Sequence, residues 1–168
     1  MTFDASYRRS ILPALILYCA CLLAATLTEV LRIVPGSGIS IWLPAGILLS
    51  AALSSPTAKW PVWAAAAILA ELTGNLIWYD HSILPALLLS FGNALAVIVG
   101  AYAIRFFVKE QQLFTTVRNT AIFIAVAGIG MPLMSATSGS YALGLSYNKP
   151  WSAAWARIFL GDATGAMV

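Results

Sequence analysis

Four ionisable residues, Glu29, Glu71, Arg157 and Asp162, stand inside long apolar runs of this chain. A charged side chain held in bilayer hydrocarbon costs about 2.5–3.5 kcal/mol on insertion scales, so such residues are paired or kept for a task. Counting ~1.5 Å per residue from Trp60 sets Glu71 about 16 Å into its segment, and counting from Trp151 sets Asp162 at a similar depth, with Arg157 nearer the outer face. Asn75 follows Glu71 by one helical turn, and Asn93 falls mid-depth in the next segment. One reading is a protein-lined polar pocket that binds a small ligand or senses protons, with Glu71 and Asp162 as acceptors, Asn75 and Asn93 as orienting groups and Arg157 towards its outer side. The same residues also suit an interhelical hydrogen-bond set that fixes packing and nothing more. The sequence leaves both open. Glu29 and Arg32, spaced i and i+3 at the outer end of their segment, read as a snorkelling surface pair.

Other chemistries find no support. His81 is the single histidine and lies beside Asp80 in a short polar turn, which makes it a solvated loop residue rather than a metal ligand. There is no Cys-x-x-Cys, phosphate-cradling glycine loop or metalloprotease helix. Ser135-Ala136-Thr137-Ser138 and Gly139-Ser140-Tyr141 invite a serine-nucleophile reading, but no helical histidine can act as base, and small residues suit helix contacts. Cys19 and Cys21 diverge by about 200° on a helix and read as unbridged packing residues. No enzyme activity and no cofactor are expected.

The elements that must position these side chains follow from composition. The 168 residues are 61% hydrophobic and 9% charged, against about a quarter charged in an ordinary soluble domain. A hydrocarbon core of ~30 Å takes about 20 apolar residues per helix, so the fold class is an all-α, polytopic transmembrane bundle of about six spans. The expected spans are residues 11–33, 39–53, 60–79, 83–107, 117–145 and 151–168. The first exceeds a signal-peptide core and lacks a small-x-small cleavage site. Pro35-Gly36-Ser37-Gly38 marks a reversal after it. The second is short, and Trp42-Leu43-Pro44-Ala45-Gly46 near its start fits a broken or partly re-entrant helix. The fifth, with Gly128, Gly130, Pro132, Gly139 and Gly144, is expected to kink or unwind. The sixth is still apolar at Val168, as if cut short.

Basic residues set the orientation. With the N-terminus inside, Arg8, Arg9, Lys59, Arg105, Lys109 and Arg118 fall on the cytoplasmic side, leaving Lys149 and Arg32 opposite. The net charge of +3 is scattered rather than gathered into a patch, so nucleic acid is not an expected partner. Trp60, Trp63, Trp78, Tyr79, Trp151 and Trp155 cluster at the span ends, where amphipathic rings prefer the headgroup level.

Four pieces in order carry a family resemblance: Ile41-Trp42-Leu43-Pro44-Ala45-Gly46, Lys59-Trp60-Pro61, the Gly92-Asn93-Ala94-Leu95 helix ending near Arg105, and Leu160-Gly161-Asp162-Ala163-Thr164-Gly165. Together they resemble the first type of membrane-associated sensor domain, the MASE family of bacterial signalling proteins, from about Leu12 to Val168. On that resemblance Trp42, Pro44, Gly46, Trp60, Pro61, Gly161, Asp162 and Gly165 are the motif positions. The resemblance implies an inner-membrane input module joined to a cytoplasmic diguanylate cyclase, phosphodiesterase, PAS or histidine kinase domain. It also implies about eight spans in the whole domain, so that the last ones and the output domain lie beyond this chain. The aromatic pair ahead of the Gly-Asp motif is loosened here to Trp155 and Phe159. The bilayer, an output domain, an unidentified small ligand and a second copy of the chain are the expected partners. A small transporter subunit of the substrate-binding kind and a purely structural anchor are the alternatives that six short spans also fit.

Overall fold

In the computed structural model of the chain, residues 5–30, 41–108, 113–147 and 151–168 are described. The reversal at 35–38 and the Glu29–Arg32 pair lie outside the described residues and side chains. The helices are α1 (Ala5–Val30), α2 (Leu43–Leu53), α3 (Trp60–Ile77, after a 3-10 turn at Thr57–Lys59), α4 (Ile83–Phe107), α5 (Val117–Ala125), α6 (Met131–Tyr147) and α7 (Trp151–Met167). Among the described residues there is no strand.

α5 and α6 form one rod through a π turn at Val126–Gly130, where the Met131 N–H reaches back five residues to the Val126 carbonyl. Pro132 has no N–H to offer four residues back, and the widened turn absorbs that missing bond. The expected kink is therefore a change of helical pitch with the backbone still bonded. Counting this rod once gives six helical segments among the described residues, of which four are long and apolar enough to cross a membrane. α7, at 17 residues, is about 25 Å long.

α2 is different. Its 11 residues make only about 16 Å, half the hydrocarbon thickness. The Trp42 N–H donates to the Gly161 carbonyl at 2.9 Å, ten residues into α7. The Trp42 indole donates to Glu71 at 3.2 Å, eleven residues into α3. Both place the start of α2 near the bilayer midplane. Its other end reaches the level of Ser54 and Ser55, beside Arg105 near the end of α4. The second span is thus a half-helix that begins in the middle of the membrane.

Around it the other helices form an arc in which α1 touches α3, α3 touches α4, α4 touches α6 and α6 touches α7, while α2 packs inside against α1, α3, α4 and α7. The core is built from small side chains: Ala66, Ala67, Ala70 and Gly74 on α3 and Ala45 and Ala52 on α2 are buried. In lipid the outward apolar face gains nothing from avoiding water, so close backbone approach and interhelical hydrogen bonds hold the bundle together. Many large apolar residues point outward, with Leu23, Phe91, Leu95 and Phe106 all exposed, while Leu48, Trp63 and Ile104 fill the core between the small ones. Cys19 and Cys21 are free thiols, the first exposed and the second buried in the core.

The tightest approach is between α2 and α7. A Cβ on Gly165 would run into the Trp42 carbonyl, and one on Gly46 would run into the Gly165 carbonyl. Both obstacles are backbone, which cannot rotate aside. At Gly130, by contrast, the nearest atom to an added Cβ is the Ala125 carbonyl oxygen at 3.7 Å, an ordinary contact. Gly165→Ala is therefore expected to destabilise the bundle by about 3 kcal/mol or more, while Gly130→Ala stays within about 1 kcal/mol of the parent; thermal unfolding of both variants in lipid nanodiscs, followed by circular dichroism, checks the contrast.

Candidate functional site

Five elements bring the candidate residues to one level. α3 supplies Glu71 and Asn75, α4 supplies Asn93 one span over, and α7 supplies Asp162 and Arg157. The residue before α2 supplies Trp42, and α6 supplies Ser135. Glu71 is 5% exposed, Asp162 6% and Asn93 9%, so these groups depend on protein partners.

Glu71 accepts the Trp42 indole N–H on one oxygen at 3.2 Å and the Asn93 amide on the other at 3.0 Å. Asp162 accepts a short hydrogen bond from the Ser135 hydroxyl. The Asn75 amide donates to Ser90 Oγ at 3.3 Å, and that hydroxyl donates to the Ala86 carbonyl at 2.8 Å. Each acid is thus tied to a neighbouring helix, as the packing reading requires.

The pocket reading has its own support. A cavity of about 160 Å³ is lined by Trp42, Asn75, Tyr79, His81, Leu89, Asn93, Leu143, Arg157, Ile158, Gly161 and Asp162. Four of the five candidates expected to sense a ligand line it together. The fifth, Glu71, sits one hydrogen bond behind the wall, holding the Trp42 and Asn93 side chains that face inward. An apolar cavity of about 150 Å³ suffices for benzene, so this one suits a compact molecule of similar size. Its walls combine carboxylate, amide, guanidinium and aromatic faces, a set that fixes the orientation of a small polar ligand.

Tyr79 and His81 join this wall through contacts that the sequence does not announce. His81 is half-buried rather than solvated: its ring stacks on Tyr79 at 6.1 Å with 19° between planes, and its backbone N–H reaches the Asn75 carbonyl at 3.0 Å. Asp80, at φ 50°, provides the left-handed step that folds the turn back over the end of α3. Tyr79 in turn meets the Trp42 ring at 6.3 Å. Ser135, a small residue at the α6–α7 contact, also donates to Asp162. Trp155 and Phe159 stack at 5.1 Å along α7, with the Trp155 indole donating to Thr137 at 3.2 Å. Among the described residues no group of three His, Cys, Asp or Glu side chains gathers as a metal site would require.

The motif positions divide between the two ends of α2. At its start, Trp42 bonds Gly161 and Glu71, Pro44 occupies the first turn, where an N–H is dispensable, and Gly46 and Gly165 allow the contact with α7. At its end, the Trp60 indole donates to the Ala52 carbonyl at 2.9 Å. The Arg105 guanidinium donates to the Leu53 and Ser55 carbonyls at 2.7 Å each and lies 5.2 Å over the Trp60 ring. Pro61 opens the helix that carries Trp60. The Trp63 indole reaches Ser55 Oγ at 2.7 Å.

Burial holds the His81 imidazole below its ordinary value of 6.5, the nearby Asp80 carboxylate acting in the opposite sense. The fold therefore favours neutral His81, and its contribution to stability is complete above the ordinary histidine pKa and lost as pH falls through that value towards the folded one. Acidification from about pH 7 to about pH 5 should lower the melting temperature more in the parent than in His81→Asn; parallel pH-dependent melting curves of the two read the difference directly.

No curated protein and no solved structure gives a match to this chain. The MASE1 family model matches residues 11–168, which takes in every helix of the arc, the half-helix inside it and both motif ends. The chain belongs to the MASE1 family of membrane-embedded sensor domains.

Proposed function

We propose that this chain is the input half of a bacterial signal-transduction protein of the inner membrane, and that a small ligand entering the 160 Å³ cavity is its stimulus. The observation that carries the proposal is the shared wall: Trp42 and Gly161 line the cavity and also join the start of α2 to α7, and Asp162 beside them ties α7 to α6. A ligand that binds one arrangement of this joint better than another shifts the population of the two, and only that differential affinity can do so.

The basic residues support a cytoplasmic N-terminus, with Lys59 and Arg105 at the inner face. The cavity wall formed by Tyr79, His81 and Arg157 lies towards the opposite face, so the ligand comes from outside the cell. α7 then runs inward from the pocket, and a rotation or shift of that helix is what a cytoplasmic diguanylate cyclase, phosphodiesterase or histidine kinase domain in the parent protein would receive.

The experiment is to follow output in the full-length parent, as cyclic dinucleotide level or autophosphorylation, while the medium is varied. Asp162→Asn and Arg157→Gln alter the cavity wall and are expected to reduce the response to stimulus at least about tenfold, with the protein still inserted in the membrane. Unchanged output in both variants under every stimulus that moves the parent would contradict the proposal. Uptake of a labelled solute by vesicles holding the chain, dependent on the same residues, would favour the transporter alternative instead.

A further inference from the structure

The wall of the 160 Å³ cavity carries two side chains of opposite charge at different depths, Asp162 and Arg157. Asp162 follows Gly161, whose carbonyl meets Trp42 where the half-helix begins. Arg157 stands five residues earlier on α7, about 7.5 Å closer to the outer face. The Ser135 hydroxyl already gives one hydrogen bond to the Asp162 carboxylate. Glu71 is not in the lining, and each of its oxygens is bonded, to Trp42 and to Asn93. At the mouth, burial holds His81 towards its neutral form. The lining is therefore balanced, with a negative group at the floor and a positive one towards the mouth. A ligand carrying a lone positive charge meets Arg157, and one carrying a lone negative charge meets Asp162, so that each finds one repulsive group.

The rest of the wall is equally divided. Asn93 lines the cavity beside Asp162, and its buried Oδ1 has no hydrogen-bond partner. A buried acceptor left without a donor costs about 1–3 kcal/mol, and a ligand N–H is the donor that this position lacks. The Trp42 indole, whose N–H is turned to Glu71, adds an aromatic surface favourable to an ammonium. Leu89, Leu143 and Ile158 make up the aliphatic part of the lining.

We propose that the cavity takes a small aliphatic α-amino acid, with its ammonium on Asp162, its carboxylate on Arg157 and its side chain against Leu89, Leu143 and Ile158. This rests on the pocket reading above and names the ligand class for it. The dimensions agree. Two charge-assisted hydrogen bonds of about 2.8 Å each, with roughly 3 Å between the ligand's own charged groups, span a length close to the separation of Asp162 and Arg157 along α7. A cavity that matches one holding benzene admits about six to eight non-hydrogen atoms, the size of alanine or valine. A zwitterion adds no net charge at membrane depth, and both of its ends find a partner there. The guanidinium fork presents five N–H donors, of which a carboxylate takes two.

The test uses this chain in lipid nanodiscs, with L-alanine, L-valine and the two fragments of valine that keep one charge each, isobutylamine and 3-methylbutanoate. Saturable binding of radiolabelled L-alanine or L-valine is expected, with a rise in melting temperature of about 3 °C or more at saturation. Either fragment should bind at least about tenfold more weakly. Arg157→Gln should weaken valine at least about tenfold and strengthen isobutylamine, whereas Asp162→Asn should weaken valine and strengthen 3-methylbutanoate. A variant that merely fails to fold cannot give that exchange of preference. Absence of saturable binding of both amino acids to the parent chain overturns the proposal, whether or not any variant folds. Binding that is unchanged in both variants also overturns it, by placing the amino acid elsewhere. Equal affinity for valine and for a single-charge fragment overturns the amino-acid class while leaving the cavity a ligand site. Failure of the pocket reading itself is seen separately, as unchanged output of the full-length parent carrying the same substitutions.

Discussion

A helix that starts in the middle of a bilayer leaves backbone groups where no water can reach them, and each group left without a partner costs several kcal/mol. This single constraint organises the chain. The start of α2 is secured by the Gly161 carbonyl and by a proline that has no N–H to satisfy. Its end is secured by the Trp60 indole and the Arg105 guanidinium, which take up the Ala52, Leu53 and Ser55 carbonyls. Lipid cannot supply any of these bonds, so the half-helix has to sit inside the arc of longer helices. The small residues of α3 and α7 follow from that need for close approach.

Polarity in this bundle runs from the inside outward. Glu71 is retained at the midplane because two nitrogen donors, from Trp42 and Asn93, replace its hydration. Those bonds also fix the indole and amide that face the cavity, so the packing reading and the pocket reading of the same residues describe one device. The hydrogen bonds that hold the helices together are the ones that shape the site. A stimulus that displaced Trp42 would loosen its bonds to α3 and α7 at once, which gives a physical route from ligand to helix movement without a long relay.

Much of this was legible in the sequence. Apolar run lengths set the boundaries of α3 and α4 to within two residues, and a count of 1.5 Å per residue put Glu71, Asn93 and Asp162 at one depth. Pro44 and Gly46 in a short run fit a broken or partly re-entrant helix, although run length still counts that segment among the spans. Depth counting has no angular information, however, so it could not say that Asn93 turns its nitrogen to Glu71 or that Ser135 meets Asp162 across two helices. His81 escaped for a related reason: the left-handed Asp80 folds a polar tripeptide inward over the end of α3, and composition alone makes such a piece look solvated. The π turn before Pro132 was anticipated only as a weak point. Its actual form depends on how the helix redistributes one missing bond.

The central claim is that α2 begins at mid-depth. A nitroxide placed at Ile41, an exposed position just before the half-helix, reports this depth through power-saturation measurements with oxygen and a water-soluble nickel chelate, using a label at Ser54 as reference. The account predicts a label at position 41 near the bilayer centre, about 15 Å below the surface, and one at position 54 close to the headgroups. A label at 41 reading headgroup depth on the face opposite 54 would make α2 part of a complete span and contradict the account.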